Sequence, residues 1–244
     1  MKEPIISTTY GSAQHIGDRS HQCDATAVRT APDGTRAFVL LDGIGSSDTV
    51  RTWTRTAARR LAQACALHGH AEAGLRAEYT RYAAEPIRQD DARRSEPPSA
   101  AAVAAVHSPA GLLSIAWAGD TRAYLLLDGV LSELTEDHNL RRVDGGSRDM
   151  ITTCLGSAWD DRRTQERWGH PAIESMAAPL TRPGRLLLAS DGAYEPYEDT
   201  GGLLADHLAG ALESVPHSLT EGAVALARAQ PAAADNATVL VIEL

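Results

Sequence analysis

The chain has 244 residues, 43% hydrophobic and 23% charged, enough to bury a substantial core within one domain. Its 32 carboxylates exceed its 23 Lys plus Arg, for a net charge of −9. That balance argues against a duplex nucleic-acid binder, which needs a basic face to neutralise phosphates. Lys2 is the single lysine, so Schiff-base and P-loop lysine chemistry are excluded. Cys23, Cys65 and Cys154 are scattered and odd in number, which reads as a reducing, cytoplasmic setting rather than a disulfide framework. No run approaches the ~20 apolar residues of a membrane span, and the N-terminus does not read as a secretory signal.

Ile5 to Tyr10, Ala25 to Thr30 and Arg36 to Leu41 read as short strands, broken by turns such as Pro32-Asp33-Gly34. After Ser46-Ser47-Asp48 the pattern becomes helical, with Val50, Trp53, Ala57, Leu61, Ala64 and Cys65 on one stripe and Arg51, Arg55 and Arg59 off it. A second helix is expected over Ala71 to Ala84, then a polar loop closed by Glu96-Pro97-Pro98-Ser99. Strands return at Ala101 to His107, Leu112 to Ala118 and Arg122 to Leu127. Arg185 to Ala189 is an apolar run of a buried strand. Gly202 to Leu212 and Leu219 to Ala229 look helical, and Thr238 to Leu244 forms a last strand. Strands at both ends with helices between them predict one α+β domain, residues 1–244, whose terminal strands pair in one sheet.

The informative pattern is an apolar strand that ends in Asp beside Gly. It occurs in Phe38-Val39-Leu40-Leu41-Asp42-Gly43 and in Leu186-Leu187-Leu188-Ala189-Ser190-Asp191-Gly192, with a related form in Ile115-Ala116-Trp117-Ala118-Gly119-Asp120. Asp235-Asn236 opens the last strand. Carboxylates that converge from several strand ends are costly unless a hard cation neutralises them. Asp-Gly is also common turn chemistry, and Asp33-Gly34 and Asp128-Gly129 are read as turns only.

On these residues the sequence resembles the metal-dependent Ser/Thr protein phosphatases of the PP2C (PPM) family, in their short bacterial form. Ala118-Gly119-Asp120-Thr121-Arg122-Ala123-Tyr124-Leu125, continuing through Asp128-Gly129 to Leu134-Thr135-Glu136-Asp137-His138, resembles the family's longest motif. Asp42-Gly43-Ile44-Gly45, Leu155-Gly156, Ser190-Asp191-Gly192 and Asp235-Asn236-Ala237-Thr238 follow in the family's order. The resemblance implies a four-layer α-β-β-α sandwich, two antiparallel sheets flanked by helices. It also implies two Mn²⁺ or Mg²⁺ ions, with a third, weaker one. By motif match Asp42 bridges the two ions and Gly43 offers its backbone carbonyl. Asp191 and Asp235 bind the first ion, Asp24 meets the second through water, and Asp120 belongs to the third. Arg19, five residues before Asp24, matches the phosphate-binding arginine, a residue type whose planar fork grips two phosphate oxygens.

The chain departs from the family pattern at four places. Cys23 stands where an acidic residue usually precedes Asp24, so the second ion is expected to be held more weakly, thiolate being a soft ligand. Ile44 replaces the histidine that many members carry after "DG". Ala100-Ala101-Ala102 replaces "GTT". The flap, around residues 139–153, is shortened. His138 is expected to be a structural hydrogen-bonder. The leading expectation is a protein serine/threonine phosphatase in which a metal-bridging water attacks phosphomonoesters. Its partners would be a phosphorylated protein and a Ser/Thr kinase or that kinase's targets. The alternative is a catalytically weak or silent pseudophosphatase, a regulatory module that binds a phosphoprotein or kinase.

Overall fold

Several apolar runs of this chain show no alternation because they are covered on both faces, as interior strands between a second sheet and a helix layer must be. The computed structural model describes residues 9–231 and 233–244. Its strands are β1 (Tyr10–His15), β2 (Ala25–Thr30), β3 (Arg36–Gly43), β4 (Ala100–His107), β5 (Leu112–Ala118), β6 (Arg122–Leu127), β7 (Val130–Glu133), β8 (Glu174–Pro179), β9 (Arg185–Ala189) and β10 (Ala237–Glu243). Its helices are α1 (Asp48–His68), α2 (Ala71–Ala83), α3 (Pro86–Gln89), α4 (Leu140–Asp144), α5 (Asp161–Trp168), α6 (Asp191–Asp199), α7 (Leu204–His207) and α8 (Val215–Arg228).

One sheet has the order β1-β10-β9-β6-β7 and the other β2-β3-β4-β5-β8, every pairing antiparallel. Phe38 and Leu40 of β3 point between the sheets, where they meet Val103, Ile115, Leu188 and Leu240. Val39 and Leu41 point the other way, against Ala57, Leu61 and Leu75 of α1 and α2. On the first sheet Leu187, Val239 and Val241 pack under Tyr194, Tyr197 and Leu219 of α6 and α8. The result is the expected α-β-β-α sandwich.

The terminal strands do pair, with Tyr10 opposite Ile242 and His15 opposite Ala237. The first strand starts later than the sequence pattern indicates, and Ile5 to Thr8 lie outside the described residues. The helix expected over 202–212 contracts to Leu204–His207, because Gly201, with φ 73°, and Gly210, with φ 114°, break the backbone on both sides. β8 escaped the sequence reading because its Glu174-Ser175-Met176 start is not apolar and only one of its edges is paired.

Helix α1 leaves the same end of the sandwich at which β3 ends. Ser47 caps it, its hydroxyl accepting from the Val50 amide at 3.2 Å, and Gly69 closes it in the left-handed region. Among the described residues no helix is long and apolar enough to cross a membrane.

Candidate active site and metal centre

All the carboxylates singled out above lie at strand ends on one end of the sandwich. Asp42 is the penultimate residue of β3, and Gly43, which ends it, is buried. Asp120 follows β5, Asp191 begins α6 directly after β9, and Asp235 precedes β10. Asp24 immediately precedes β2. Asp24 and Asp120 are buried, whereas Asp42, Asp191 and Asp235 are partly open.

Two glycines allow this convergence. A Cβ on Gly192 would lie 2.2 Å from the Asn236 carbonyl, so the absence of a side chain lets the start of α6 seat against β10. That approach brings Asp191 beside Asp235. Gly119 adopts φ +120°, and a Cβ there would meet Ala101 at 2.5 Å. Ala101 is one of the small residues standing where the family has "GTT", so this departure is a packing adjustment under Asp120.

Hydrogen bonds fix the cluster from behind. The Asp24 amide donates to Gln22 Oε1 at 3.0 Å, and its carbonyl accepts from Gln14 Nε2 at 3.1 Å. Asn236 ties two loops together: its Oδ1 accepts from the Cys23 amide at 2.7 Å, and its Nδ2 donates to the Ile16 carbonyl at 2.8 Å. The Tyr194 hydroxyl donates to the Asp120 carbonyl at 2.9 Å. Arg19 lies on the rim, half exposed, and pairs with Asp235.

The electrostatics are those of a site built for cations. Burial pushes the Asp24 carboxyl up to about 8, with the charge of Asp191 adding to the effect. Burial, then the charges of Asp24, Asp191 and Asp120, raises Asp42 well above the usual carboxylate range. Asp120 is raised for the same reasons, by burial and then by Asp191 and Asp137, and Asp191 by burial and then by Asp235. Among the described residues, both carboxylate oxygens of Asp24 are buried without a hydrogen-bond partner. A buried polar atom left unpaired is costly unless something outside the protein satisfies it.

The donor set therefore fits hard divalent ions, which take carboxylate, carbonyl and water oxygens. Among the described residues no three His, Cys, Asp or Glu side chains stand close enough together to hold a metal ion by themselves.

Three features were not legible beforehand. Glu195 lies one turn after Asp191 on α6, so it shares that face, and burial together with the Asp191 charge raises it to about 8. The spacing of four residues was the available signal. Arg148, in the segment 139–153, donates to both oxygens of Asp199 at 2.7 and 2.6 Å and reaches Glu195 at 3.0 Å, pinning that segment to α6. Arg88 is fully buried and donates to the Gly156 and Pro98 carbonyls, each at 2.7 Å, and to Glu85 at 2.8 Å.

Cys23 is buried, and its Sγ faces the Ser47 carbonyl at 3.7 Å. Burial raises its thiol pKa, so at neutral pH it is a thiol directed at the start of α1. His138 is a structural hydrogen-bonder. Its Nδ1 accepts from the Gly119 amide at 3.3 Å, its Nε2 lies 2.8 Å from Glu174, and its ring stacks on His170 at 4.3 Å. Ile44 is exposed beside the site and has no proton to give.

The sequence matches the family description "Protein phosphatase 2C" over residues 11–148. No match was found among curated proteins. Among solved structures, the chain is similar to PppA, described as a key regulatory component of T6SS in Pseudomonas aeruginosa. The TM-score is 0.72 at 21% identity, with 96% of each chain covered. It is also similar to the Mycobacterium tuberculosis serine/threonine phosphatase PstP/Ppp, with TM-score 0.69 at 22% identity over 97% of this chain and 98% of that one. The S. agalactiae serine/threonine phosphatase gives TM-score 0.74 at 17% identity, over 96% and 98%. At these identities the likenesses establish the fold.

Proposed function

Since the chain belongs to the protein phosphatase 2C family, we propose that it is an Mn²⁺- or Mg²⁺-dependent phosphatase acting on phosphoserine or phosphothreonine in proteins. One observation carries this reading: five carboxylates lie at strand ends on one end of the sandwich, and one of them, among the described residues, has both oxygens buried and unpartnered. Asp191 and Asp235 would hold the first ion, Asp24 the second through water, and Asp42 both, with the Gly43 carbonyl alongside. Asp120, with Glu195 on the facing helix turn, would serve a weaker third. Divalent ions held by these residues would supply an activated water and would neutralise charge developing at phosphorus.

The chain's own residues supply the rest. Arg19 stands on the rim with its guanidinium already beside Asp235, where a phosphoryl group lying against the metals would find a bidentate donor. Hydrogen bonds from Gln14, Gln22, Asn236 and Tyr194 hold the ligand-bearing backbone. Burial of Asp24 and Asp120 disfavours their charge in the absence of a cation and places them where attraction to a bound cation is strengthened. No side-chain nucleophile is needed, which agrees with a chain whose one lysine is Lys2. A phosphorylated protein is the substrate, and its kinase or that kinase's targets are the functional partners.

The test is hydrolysis of an aryl phosphate by the purified protein. Millimolar Mn²⁺ should stimulate it and Asp191→Asn should abolish it. Absence of turnover at any Mn²⁺ concentration, with tight binding of a phosphopeptide retained, would favour the pseudophosphatase reading.

A further inference from the structure

Helix α1 carries an arginine row that its own stability does not explain. Arg51, Arg55 and Arg59 recur every four residues and so lie on one flank. Like charges at that spacing repel, and cations in the first turns oppose the helix dipole. Asp48 is the only acid among the 21 residues of α1, and it already pairs with Arg51 at 2.6 Å. Arg55 and Arg59 are exposed, and among the described residues neither has an ion pair. The usual reading of such residues is a solvated face, but in a chain of net charge −9 most arginines have found carboxylates.

The row also has a definite place. Helix α2 covers the flank of α1 that carries Trp53, its ring centroid 4.9 Å from that of Tyr82 at a tilt of 53°, and Arg60, paired with Glu78 at 3.2 Å. At 100° per residue the arginine row lies about 150° around from that flank. It therefore overhangs β2, the outermost strand of its sheet. Both β2 and α1 start at the site end, next to Asp24 and just past Asp42, and run away from it side by side. Ala25 and Ala27 face α1, so Arg29 shares their face by strand alternation. Among the described residues its guanidinium donates to the Val28 carbonyl alone, at 3.3 Å, and no other strand pairs with the outer edge of β2.

We infer that the β2 edge and the row Arg51–Arg55–Arg59, with Arg29, form a docking strip for an extended acidic segment of the phosphoprotein substrate, next to its phosphorylated residue. An edge strand accepts an extended peptide through backbone hydrogen bonds. Alternate residues of that peptide stand about 6.6 Å apart, close to the about 6 Å rise between arginines four residues apart on a helix. Acidic side chains at every second position would thus meet successive guanidinium groups while the phosphoryl group sits at the carboxylate cluster. The inference rests on the phosphatase reading and adds a substrate class to it.

The experiment uses three phosphothreonine peptides that carry Glu, Ala or Lys at alternate positions, first on one side of the phosphorylated residue and then on the other. Wild type and the double variant R55E/R59E are compared by kcat/KM, with an aryl phosphate as a substrate that cannot reach the strip. Two exposed charge pairs give an expected preference for Glu over Ala of about tenfold, on one side only. The double variant should lose that preference and favour Lys, with aryl phosphate turnover unchanged. Equal turnover of all peptides by wild type, alongside normal aryl phosphate hydrolysis, would overturn this inference alone. If aryl phosphate is not hydrolysed, the phosphatase reading fails, and anisotropy of the labelled, unphosphorylated Glu peptide then tests the strip: binding weakened by R55E/R59E supports it, and no binding refutes it. A wild-type dimer that R55E/R59E converts to monomer would assign the edge to a second copy of the chain, against the inference.

Discussion

Asp24 gives the sharpest prediction, because a residue that serves a cation should burden the protein without one. Its side chain is buried, both oxygens lack partners among the described residues, and its carboxyl is raised from the ordinary 3.8 to about 8. A carboxyl raised on folding contributes fully below its unfolded pKa and less as pH rises toward its folded one. Between pH about 4 and about 8 the metal-free protein should therefore lose stability through this group. At pH 7 the loss is about 4 kcal/mol, some three pH units at ~1.36 kcal/mol each. Asp24→Asn removes this proton uptake on folding but buries an amide that lacks an acceptor, an offset of roughly 1–3 kcal/mol. The net expectation in chelator at pH 7 is a gain of about 1–3 kcal/mol, or a rise in Tm of roughly 2–10 °C for a chain of this size. Millimolar Mn²⁺ should then raise the Tm of wild type strongly and of the variant little. Scanning calorimetry with and without Mn²⁺ measures all four values. A variant that melts below wild type in chelator, or one that keeps the full Mn²⁺ shift, would refute the assignment.

Arg88→Met should lower Tm by about 10 °C in a thermal melt, since it leaves the Gly156 and Pro98 carbonyls and Glu85 without their donor at a cost of roughly 3–5 kcal/mol; a shift under 3 °C would contradict it. Acid lability should set in below pH 6.5, because burial lowers the pKa of His138 and His170 and the unfolded chain takes up protons that the folded one resists. A second loss should follow between pH 4.5 and 2. Burial alone would raise Glu174, but hydrogen bonds from His138 and Arg142 hold it at about 2. Tm against pH should show both phases, and Glu174→Gln should remove the lower one. Cys23→Ala should leave the Mn²⁺ concentration for half-maximal activity within about twofold, because the thiol faces the Ser47 carbonyl; a tenfold change would make Cys23 a ligand.

The fold was legible wherever one residue type decided the outcome. Phe38 to Leu41 could be read as a buried strand because every residue in the run is apolar, and Asp42 followed as a strand-end carboxylate. The pairing of the terminal strands followed from placing a strand at each end of one domain. Lost from view were elements whose stability comes from tertiary contacts. β8 exists because β5 offers it an edge, and α6 reads poorly because Pro196 interrupts its pattern. At the site, the individual carboxylates were visible through their Asp-Gly context. Their supports were not, because Gln14, Asn236 and Tyr194 act through single hydrogen bonds across long sequence separations. Cys23 stands where the motif has an acid, and its burial was open to a plain packing reading. Its Sγ lies against the Ser47 carbonyl at the start of α1, a direction the sequence does not encode locally.

The most direct test of the central claim is a Mn²⁺ titration of one purified sample, followed at once by calorimetry and by phosphate release from a phosphothreonine peptide. At least two ions should bind per chain, with turnover rising as the second site fills, and Asp191→Asn should show neither binding at the cluster nor turnover. One ion or none, with the phosphopeptide bound but never hydrolysed, would contradict that claim.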